Sequence, residues 1–553
     1  MPDYLVQPAE MEKSALGTLY DLLAGWGADM HQLLNSPTVE ALEVSIEEAT
    51  RSTEEGVKRF IEPAQGTLSR ALAKRPHIVF GRRGSGKSSL LRKAVADLTV
   101  DRRPIAFVDL ETFKGHSYPD VLISILIQTL ERFAQWLDSA AVNPANKTTF
   151  WQKLFGTTPK RPPFDKARTK ELSQRLVNEV ADLKRVLLEE DRVATETRNV
   201  SSESAEGNAG VSAKVSVGPG ELAGEASASA KKSSEESVSE RFIRSKLDLL
   251  HRRIIEYQKI FRDLTGLSSG DSYLVLDDLY HIRRADQPRV VDYFHRLGKS
   301  SNLWIKIGTI RHRSSWYVNG DPPIGMKIGD DGDEIDLDLT LEKYQQAKDF
   351  LTRILKGFFD AAKLKVDDIL TDGALDRLVL ASGGVARDFL GIFRRSIGIA
   401  RNRSAGARGP KIGVEDVNAA AGEYDQYKRE ELSRDTFKED EQPIEDEFAK
   451  IRQFCLESAN ANCFLIDKDA QHLLFDRVEE LTDLRLVQKV RSRVTIPSRP
   501  GKAFEAYMLD VSQYTASRKK RELEIIEFWR ADSTERLRRV SLIYPTGTIS
   551  GDQ

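Results

Sequence analysis

The sequence predicts an α/β fold with a five-stranded parallel sheet, followed by smaller helical and mixed units. Two observations predict this class. Short apolar runs alternate with helical patterns from residue 77 onward, which indicates strands joined by crossover helices and buried on both faces. A glycine-rich turn with the spacing of a phosphate loop directly follows the first of these runs. The 553 residues also exceed the roughly 100 to 200 residues of one domain, so several folded units are expected.

The overall composition excludes several classes of protein. Lys and Arg total 83 and Asp and Glu total 85, so the formal charge of −2 gives no sign of a nucleic-acid-coating polycation. The most apolar run, residues 121–130, is about half the ~20 residues that a membrane-spanning helix needs. The first residues lack a secretory signal, and Cys455 and Cys463 cannot form a disulfide framework. We therefore expect an intracellular, cytoplasmic protein without a membrane segment.

The domain order follows from the apolar patterns. We predict a helical N-terminal region (1–56), the sheet core (57–340), a helical lid (341–425), a charged linker (426–443) and a C-terminal domain (444–553). The five predicted strands are His77–Phe80, Ile105–Leu110, Tyr273–Leu276, Leu303–Ile307 and Ile335–Leu339.

A helical insertion (139–271) separates the second strand from the third. Residues 201–240 within it are rich in Ser, Ala and Gly, which is typical of a flexible linker. The alternating segments Val211–Val217 and Glu225–Ala230, around Gly218-Pro-Gly220, equally favour a β-hairpin tip.

The glycine-rich turn predicts a nucleotide-phosphate site. It fits G-x-x-x-x-G-K-[ST] between a strand and a helix, where wrapped backbone N–H groups face phosphate oxygens. We expect Lys87 to reach the β and γ phosphates of ATP and Ser88 to reach Mg²⁺. The candidate nucleotide-binding residues are Gly81, Arg82, Arg83, Gly84, Ser85, Gly86, Lys87, Ser88 and Ser89.

Two further strand ends supply candidate catalytic groups. The run Ser272–Leu276 ends in Asp277 and Asp278, at the edge where parallel strands bind ligands. We assign Asp277 to the metal and Asp278 to the attacking water. Thr309, after the fourth strand, could hydrogen-bond the γ-phosphate. Arg311 or Arg313 could face the nucleotide of a neighbouring subunit, although surface charge explains both arginines better.

These motifs together resemble the AAA+ and STAND-type P-loop ATPases, especially the origin-recognition initiator branch. The resemblance covers residues 57–425 and includes the lid segments Gly383-Gly-Val-Ala-Arg387 and Val414-Glu-Asp-Val417. It implies a P-loop core of five strands, a sensor 1 role for Thr309, a sensor 2 role for Arg387 and a homo-oligomer. The Asp277–Asp278 pair replaces the usual Asp-Glu of AAA+ motors and resembles the STAND form, which implies slow hydrolysis.

The C-terminal domain resembles a winged helix, because two β-like segments joined by a polar loop follow short helices. Initiator-type ATPases often have such a domain at this place. The basic residues that would lie near the wing and could meet the phosphates of duplex DNA are Lys489, Arg491, Arg493, Arg499 and Lys502. Protein contact explains such a domain equally well.

Three functions are compatible with this sequence. The first is an ATP-binding, slowly hydrolysing conformational switch, in a bacterial defence or DNA-linked system. The second is a DNA-binding or DNA-remodelling ATPase of initiator type. The third is an assembly scaffold in which ATP stabilises the fold and the 139–271 insertion binds an effector protein.

Overall fold

The computed structural model describes most of the chain. The described residues are 33–49, 59–100, 103–142, 165–207, 222–268, 270–403, 409–435, 438–470, 472–515, 522–530 and 535–545. None of the helices in these ranges combines the length and the apolar character needed to cross a membrane.

A five-stranded, wholly parallel sheet forms the centre of the N-terminal half, as predicted. Its strands are β1 (His77–Phe80), β2 (Ile105–Asp109), β3 (Ser272–Asp277), β4 (Leu303–Thr309) and β7 (Asp333–Asp336). They lie in the order β2-β3-β4-β1-β7, and every neighbouring pair is parallel. Because the chain reverses its direction of winding beside β1, the carboxyl ends of β1 and β3 face one crevice, where open α/β sheets bind ligands.

Helices cover both faces of this sheet. Helices α2 (Thr67–Leu72) and α3 (Lys87–Val100) contribute to an apolar cluster on one face, with Val79 of β1. Helices α4 (Asp120–Val142) and α7 (Gln287–Gly298) contribute to the cluster on the other face, with Ile78 and Phe80. The alternation of β1 side chains between two apolar clusters is what a strand buried on both sides requires. A two-stranded hairpin, β5 (Tyr317–Val318) and β6 (Ile324–Gly325), follows β4.

The described part of the insertion after residue 164 contains two long helices, α5 (Lys166–Gly207) and α6 (Leu222–Gly266). They run antiparallel, because Arg175 pairs with Asp263 while Arg253 pairs with Glu179. The predicted hairpin tip is wrong in its second strand, because residues 225–230 are helical; residues 211–217 lie outside the described residues. The alternation of Ala and Ser in 225–230 suits a helix as well as a strand, and Ala and Glu favour the helix.

The lid consists of five helices that follow β7. They are α8 (Tyr344–Ala361), α9 (Val366–Ile369), α10 (Asp372–Ser382), α11 (Ala386–Asn402) and α12 (Val414–Asp435). Helix α1 (Pro37–Ala49), from the N-terminal region, packs on α11 through the ion pairs Arg394–Glu47 and Arg401–Glu43.

The predicted linker at 426–443 is wrong, because α12 continues to Asp435 and α13 (Lys438–Gln453) begins three residues later. Its charged residues do not form a uniformly solvated segment. Lys428 is buried against the C-terminal domain, where its ammonium donates to the Asp510 carboxylate at 2.7 Å.

The C-terminal domain has a three-stranded antiparallel sheet. Strands β8 (Cys463–Asp467), β9 (Val487–Val494) and β10 (Phe504–Leu509) lie in the order β8-β10-β9, and β9 and β10 form the predicted wing-like hairpin. In a winged helix, the two helices of the helix-turn-helix lie between the first and the second strand. The described residues there form the single helix α14 (His472–Asp483), so the domain has the wing of a winged helix without the helix pair.

Candidate nucleotide site

A cavity of about 360 Å³ opens where the phosphate loop, β3 and the lid meet. This volume lies within the range of small-molecule sites. One end is polar and is lined by the phosphate loop, by Asp277 and Asp278, and by Arg387 of the lid. The other end is largely apolar. Its lining residues are Ala49, Phe60, Ile61, Pro63, Phe350, Ile354, Phe358 and Leu390.

The phosphate loop has the local geometry that its sequence predicts. Gly84 and Gly86 adopt φ values of +85° and +101°, which glycine tolerates and other residues rarely adopt. Gly84 is needed for a second reason, since a Cβ there would lie 2.8 Å from Cβ of Arg387. The Arg387 amide N–H donates to the Gly84 carbonyl at 3.3 Å. A glycine at this position therefore lets the lid contact the phosphate loop directly.

Lys87 begins α3 and is 5% exposed. Its ammonium donates to the carbonyl oxygens of Gly81, at 2.9 Å, and Arg82, at 3.3 Å. Burial lowers the pKa of Lys87, and the carboxylates of Asp278 and Asp277 oppose that shift. A buried cation at the first turn of a helix, facing open volume, provides a strong site for an anion.

Asp277 is the last residue of β3, lines the polar end of the cavity and is 3% exposed. Burial, and then the neighbouring Asp278, raise its pKa to about 7, while a hydrogen bond with Ser88 and the charge of Lys87 lower it. The charge of Lys87 offsets only part of the effect of burial on this carboxyl, and a divalent cation would offset more of it. Ser88 and Asp277 therefore fit a Mg²⁺ ion that takes its other oxygen ligands from phosphates and water.

Asp278 also lines the cavity, next to Lys87 and Tyr280. Its backbone is in the left-handed region, with φ of +57°, a conformation that costs roughly 1–3 kcal/mol in a residue other than glycine. Burial raises the pKa of Asp278, and the charge of Lys87 opposes that shift. A carboxylate with a raised pKa at this position suits a base that accepts a proton from water.

Most of the predicted site residues meet in this cavity. Those that line it are Arg83, Gly84, Ser85, Gly86, Lys87, Ser88, Ser89, Asp277, Asp278 and Arg387. Gly81 does not line it, but a Cβ there would fall 2.3 Å from the Ser85 hydroxyl, so this glycine makes room within the loop.

Besides Gly81, the predicted site residues Arg82 and Thr309 do not line the cavity. The Arg82 side chain is 3% exposed and turns toward the lid and the C-terminal domain, where acceptors lie. The Thr309 hydroxyl is buried and shares a hydrogen bond with Ser314, although its carbonyl accepts the Gly81 amide at 3.3 Å. The sensor 1 assignment of Thr309 is therefore not supported by its position.

The two candidate arginine fingers both have partners within the chain. Arg311 pairs with Glu334 at 3.0 Å and with Asp336 at 3.4 Å, and its guanidinium stacks 4.0 Å from the Phe80 ring centroid. Arg313 acts electrostatically on Asp483 of the C-terminal domain. These contacts favour the interpretation of both arginines as structural charges.

Sequence reasoning missed the apolar end of the cavity and the residues behind the phosphate loop. Asp338 accepts the backbone N–H of Arg82 at 2.8 Å, and Gln488 accepts its guanidinium at 2.9 Å. Both lie far from the motif along the chain, and the strand patterns that contain them give no sign of a contact with the phosphate loop.

Among known proteins, the chain is similar to solved structures at low identity and low TM-score. No protein-family model and no curated protein matches the chain. The Orc1 protein of Aeropyrum pernix, solved in complex with DNA, is 13% identical with a TM-score of 0.34, over 82% of this chain and 91% of that one. Cdc6p from Pyrobaculum aerophilum is 14% identical with a TM-score of 0.29, over 79% of this chain and 86% of that one. At these identities and scores the similarity carries no argument about activity.

Proposed function

We propose that this chain binds ATP with Mg²⁺ in the cavity, hydrolyses it slowly and acts as a nucleotide-dependent conformational switch. One observation carries the proposal: a phosphate loop with a buried lysine faces the Asp277–Asp278 pair, and Arg387 of the lid lines the same cavity. Mg²⁺, held by Ser88 and Asp277, would supply positive charge to the phosphates.

Each group then has a chemical role. The ammonium of Lys87 exchanges its carbonyl acceptors for phosphate oxygens, and Asp278 orients or deprotonates the attacking water. The apolar end, closed by α1 and α8, would enclose the base. Arg387 interacts with the phosphate charge and so couples nucleotide binding to the position of α11 and the lid.

The acid pair supports slow turnover. Asp278 has a side chain one methylene shorter than the Glu of the resembling motors, so it reaches less far toward a water beside the γ-phosphate. Burial raises the pKa of Asp278, which makes it a stronger base and also favours its protonated form, which cannot accept a proton from water.

The test is ATP binding and turnover by the purified chain. We expect Mg²⁺-dependent ATP binding with low turnover, and loss of binding in Lys87→Ala. Lys93→Ala is the matched control, because Lys93 lies on the same helix and pairs with Asp97 outside the cavity. Failure of the wild type to bind ATP, or equal loss in both variants, would refute the proposal.

DNA remodelling is the second candidate, and the C-terminal domain offers it little support. Lys489 pairs with Glu479 and Glu505, and Lys502 pairs with Asp467, so two of the wing cations are already neutralised. Of the five predicted wing cations, this leaves Arg491, Arg493 and Arg499 to contact the phosphates of DNA. Turnover that duplex DNA stimulates, and that rising salt suppresses, would favour this candidate over the switch.

A scaffold role is the third candidate, and the insertion favours it through its exposed apolar side chains. Val177, Leu188 and Ile255 on α5 and α6 are 48%, 53% and 68% exposed. If Lys87→Ala abolished ATP binding but left capture of a partner by the insertion intact, the scaffold would be supported. The oligomeric state with and without ATP, measured by light scattering, tests the proposed homo-oligomer.

A further inference from the structure

Arg82 connects the phosphate loop to three other segments of the chain. Its guanidinium donates to the Asp338 carboxylate at 3.3 Å, to the Gly383 carbonyl of the lid at 2.8 Å and to the Gln488 side-chain oxygen of β9 at 2.9 Å. The Gln488 side chain packs tightly on Gly383, where a Cβ would fall within 2.5 Å of it. The back of the phosphate loop is therefore held by the lid and the C-terminal domain together.

A second arginine, from the C-terminal domain, holds the next peptide of the loop. Arg485 is 2% exposed and has a left-handed backbone, with φ of +64°. Its guanidinium donates to the Arg83 carbonyl at 3.1 Å and to the Asp388 carboxylate of the lid at 3.2 Å. The Gln488 amide in turn donates to the Arg485 carbonyl at 3.2 Å, so the two C-terminal residues form one unit. A left-handed non-glycine residue is kept only where surrounding contacts impose it.

The lid and the C-terminal domain share one apolar core. The cluster that contains Phe389 and Phe393 of the lid also contains Phe464 and Tyr507 of the C-terminal domain. Its buried members all come from residues 34–46 and 341–544, and the five sheet strands contribute to two separate clusters. The lid and the C-terminal domain are thus expected to move as one body.

This body meets the back of the phosphate loop through polar contacts, whereas Ile61 and Leu339 of the sheet domain pack against its apolar core. Besides the contacts of Arg82 and Arg485, His312 lies 3.4 Å from the Glu479 carboxylate of α14. Polar interfaces separate more readily than apolar ones, because water replaces their hydrogen bonds.

Neighbouring carbonyls of the same loop hold Lys87. Its ammonium donates to the Gly81 and Arg82 carbonyls, within one or two residues of the peptide that Arg485 holds. A bound phosphate would draw the ammonium away from these oxygens. The loop would then keep the bond of Arg485 to the Arg83 carbonyl and the bond of the Arg82 guanidinium to Gln488. Binding of a phosphate in the cavity therefore makes the position of the loop depend more on its contacts with Arg485 and Gln488.

We propose that Arg485 and Gln488 are positioning residues of the nucleotide site, through which the C-terminal domain holds the phosphate loop and responds to its occupancy. The proposal rests on the ATP binding proposed above. In this proposal the C-terminal domain positions the phosphate loop of its own chain from behind and does not contact the nucleotide.

Amide hydrogen exchange on the full chain, with and without ATP and Mg²⁺, tests it. In the wild type we expect ATP to change exchange across residues 485–494 as well as across the phosphate loop. Gln488→Ala should abolish the change in 485–494 and weaken ATP binding several-fold. Gln488→Glu keeps the acceptor for the Arg82 guanidinium and loses only the donor to the Arg485 carbonyl, so it should retain most of the ATP response and of the affinity.

Asn462→Ala is the matched control for general loosening of the C-terminal domain. Asn462 is as buried as Gln488, and its side-chain oxygen accepts the Ile526 amide within that domain. Equal loss of the ATP response in Asn462→Ala would overturn the proposal, as would a wild type that binds ATP with no change in 485–494. Absence of ATP binding in the wild type is a different result, since it refutes the proposed function itself.

Discussion

The carboxylate of Asp277 fits against the bare backbone of Gly308 on the neighbouring strand. A Cβ built on Gly308 would fall 2.4 Å from Oδ1 of Asp277 and 2.9 Å from Cδ1 of Leu91 in α3. Both neighbours are buried, so neither can turn into solvent. The absence of a side chain at 308 is thus what lets an acid occupy the end of β3 beside the phosphate loop.

Gly308→Ala should consequently displace the Asp277 carboxylate and weaken Mg²⁺-dependent ATP binding by about tenfold or more, which corresponds to roughly 1.4 kcal/mol. ATP affinity measured at several Mg²⁺ concentrations checks this. Gly398→Ala in α11 is the control, because no atom lies within 4 Å of its would-be Cβ. Unchanged Mg²⁺ dependence in Gly308→Ala would show that Asp277 does not serve the cation.

Sequence reasoning located the features that short segments determine. The strands, the phosphate loop and the acid pair each follow from fewer than about ten consecutive residues, whose pattern specifies both the element and its chemistry. The direction of the Arg82 side chain does not follow from such a segment, because its partners Asp338 and Gln488 lie 256 and 406 residues away. The environment of the Thr309 side chain is another such case, since the hydroxyl of Ser314 satisfies it inside the fold.

The raised pKa of Asp277 predicts a pH-dependent stability for the chain without nucleotide or Mg²⁺. Because its pKa is about 7 in the folded protein and about 3.9 in an unfolded chain, the folded state binds the proton more tightly. Its contribution to stability is complete below about pH 4 and is lost as the pH rises through about 7.

Asp277→Asn should therefore lose less stability than the wild type between about pH 5 and about pH 8, as measured by thermal unfolding. Added Mg²⁺ and ATP should reduce the loss in the wild type, because the cation takes the place of the proton. Parallel pH profiles for the two proteins would contradict the raised pKa.

Arg387 should couple ATP to the lid more than it contributes to the fold. Its side chain lines the cavity, and its backbone N–H, which any substitution retains, donates to Gly84. We expect Arg387→Ala to keep its folded stability, to weaken ATP binding and to lose the ATP-dependent protection of α11 from hydrogen exchange. Arg395→Ala, on the same helix but stacked on Tyr427 outside the cavity, should keep that response. A normal response in Arg387→Ala would remove the residue from the proposed switch.

The buried ion pair between Lys428 and Asp510 should make a single substitution costly. The two side chains are 2% and 1% exposed, and their charged atoms lie 2.7 Å apart. The ammonium also donates to the Ala381 and Arg485 carbonyls, so it joins the lid to the C-terminal domain. Removing one member of a buried pair leaves the other charge uncompensated, which costs roughly 3–5 kcal/mol.

Lys428→Met should therefore lower the denaturant midpoint sharply, whereas Lys428→Met combined with Asp510→Asn should recover part of the loss, because no charge remains buried. The recovery, and not the size of the single effect, identifies the ion pair, since any poorly packed substitution lowers stability. Arg185→Met, at an exposed pair with Asp182, should change the midpoint little. Additive losses in the double variant would mean that packing of the Lys428 stem, rather than its charge, stabilises the junction.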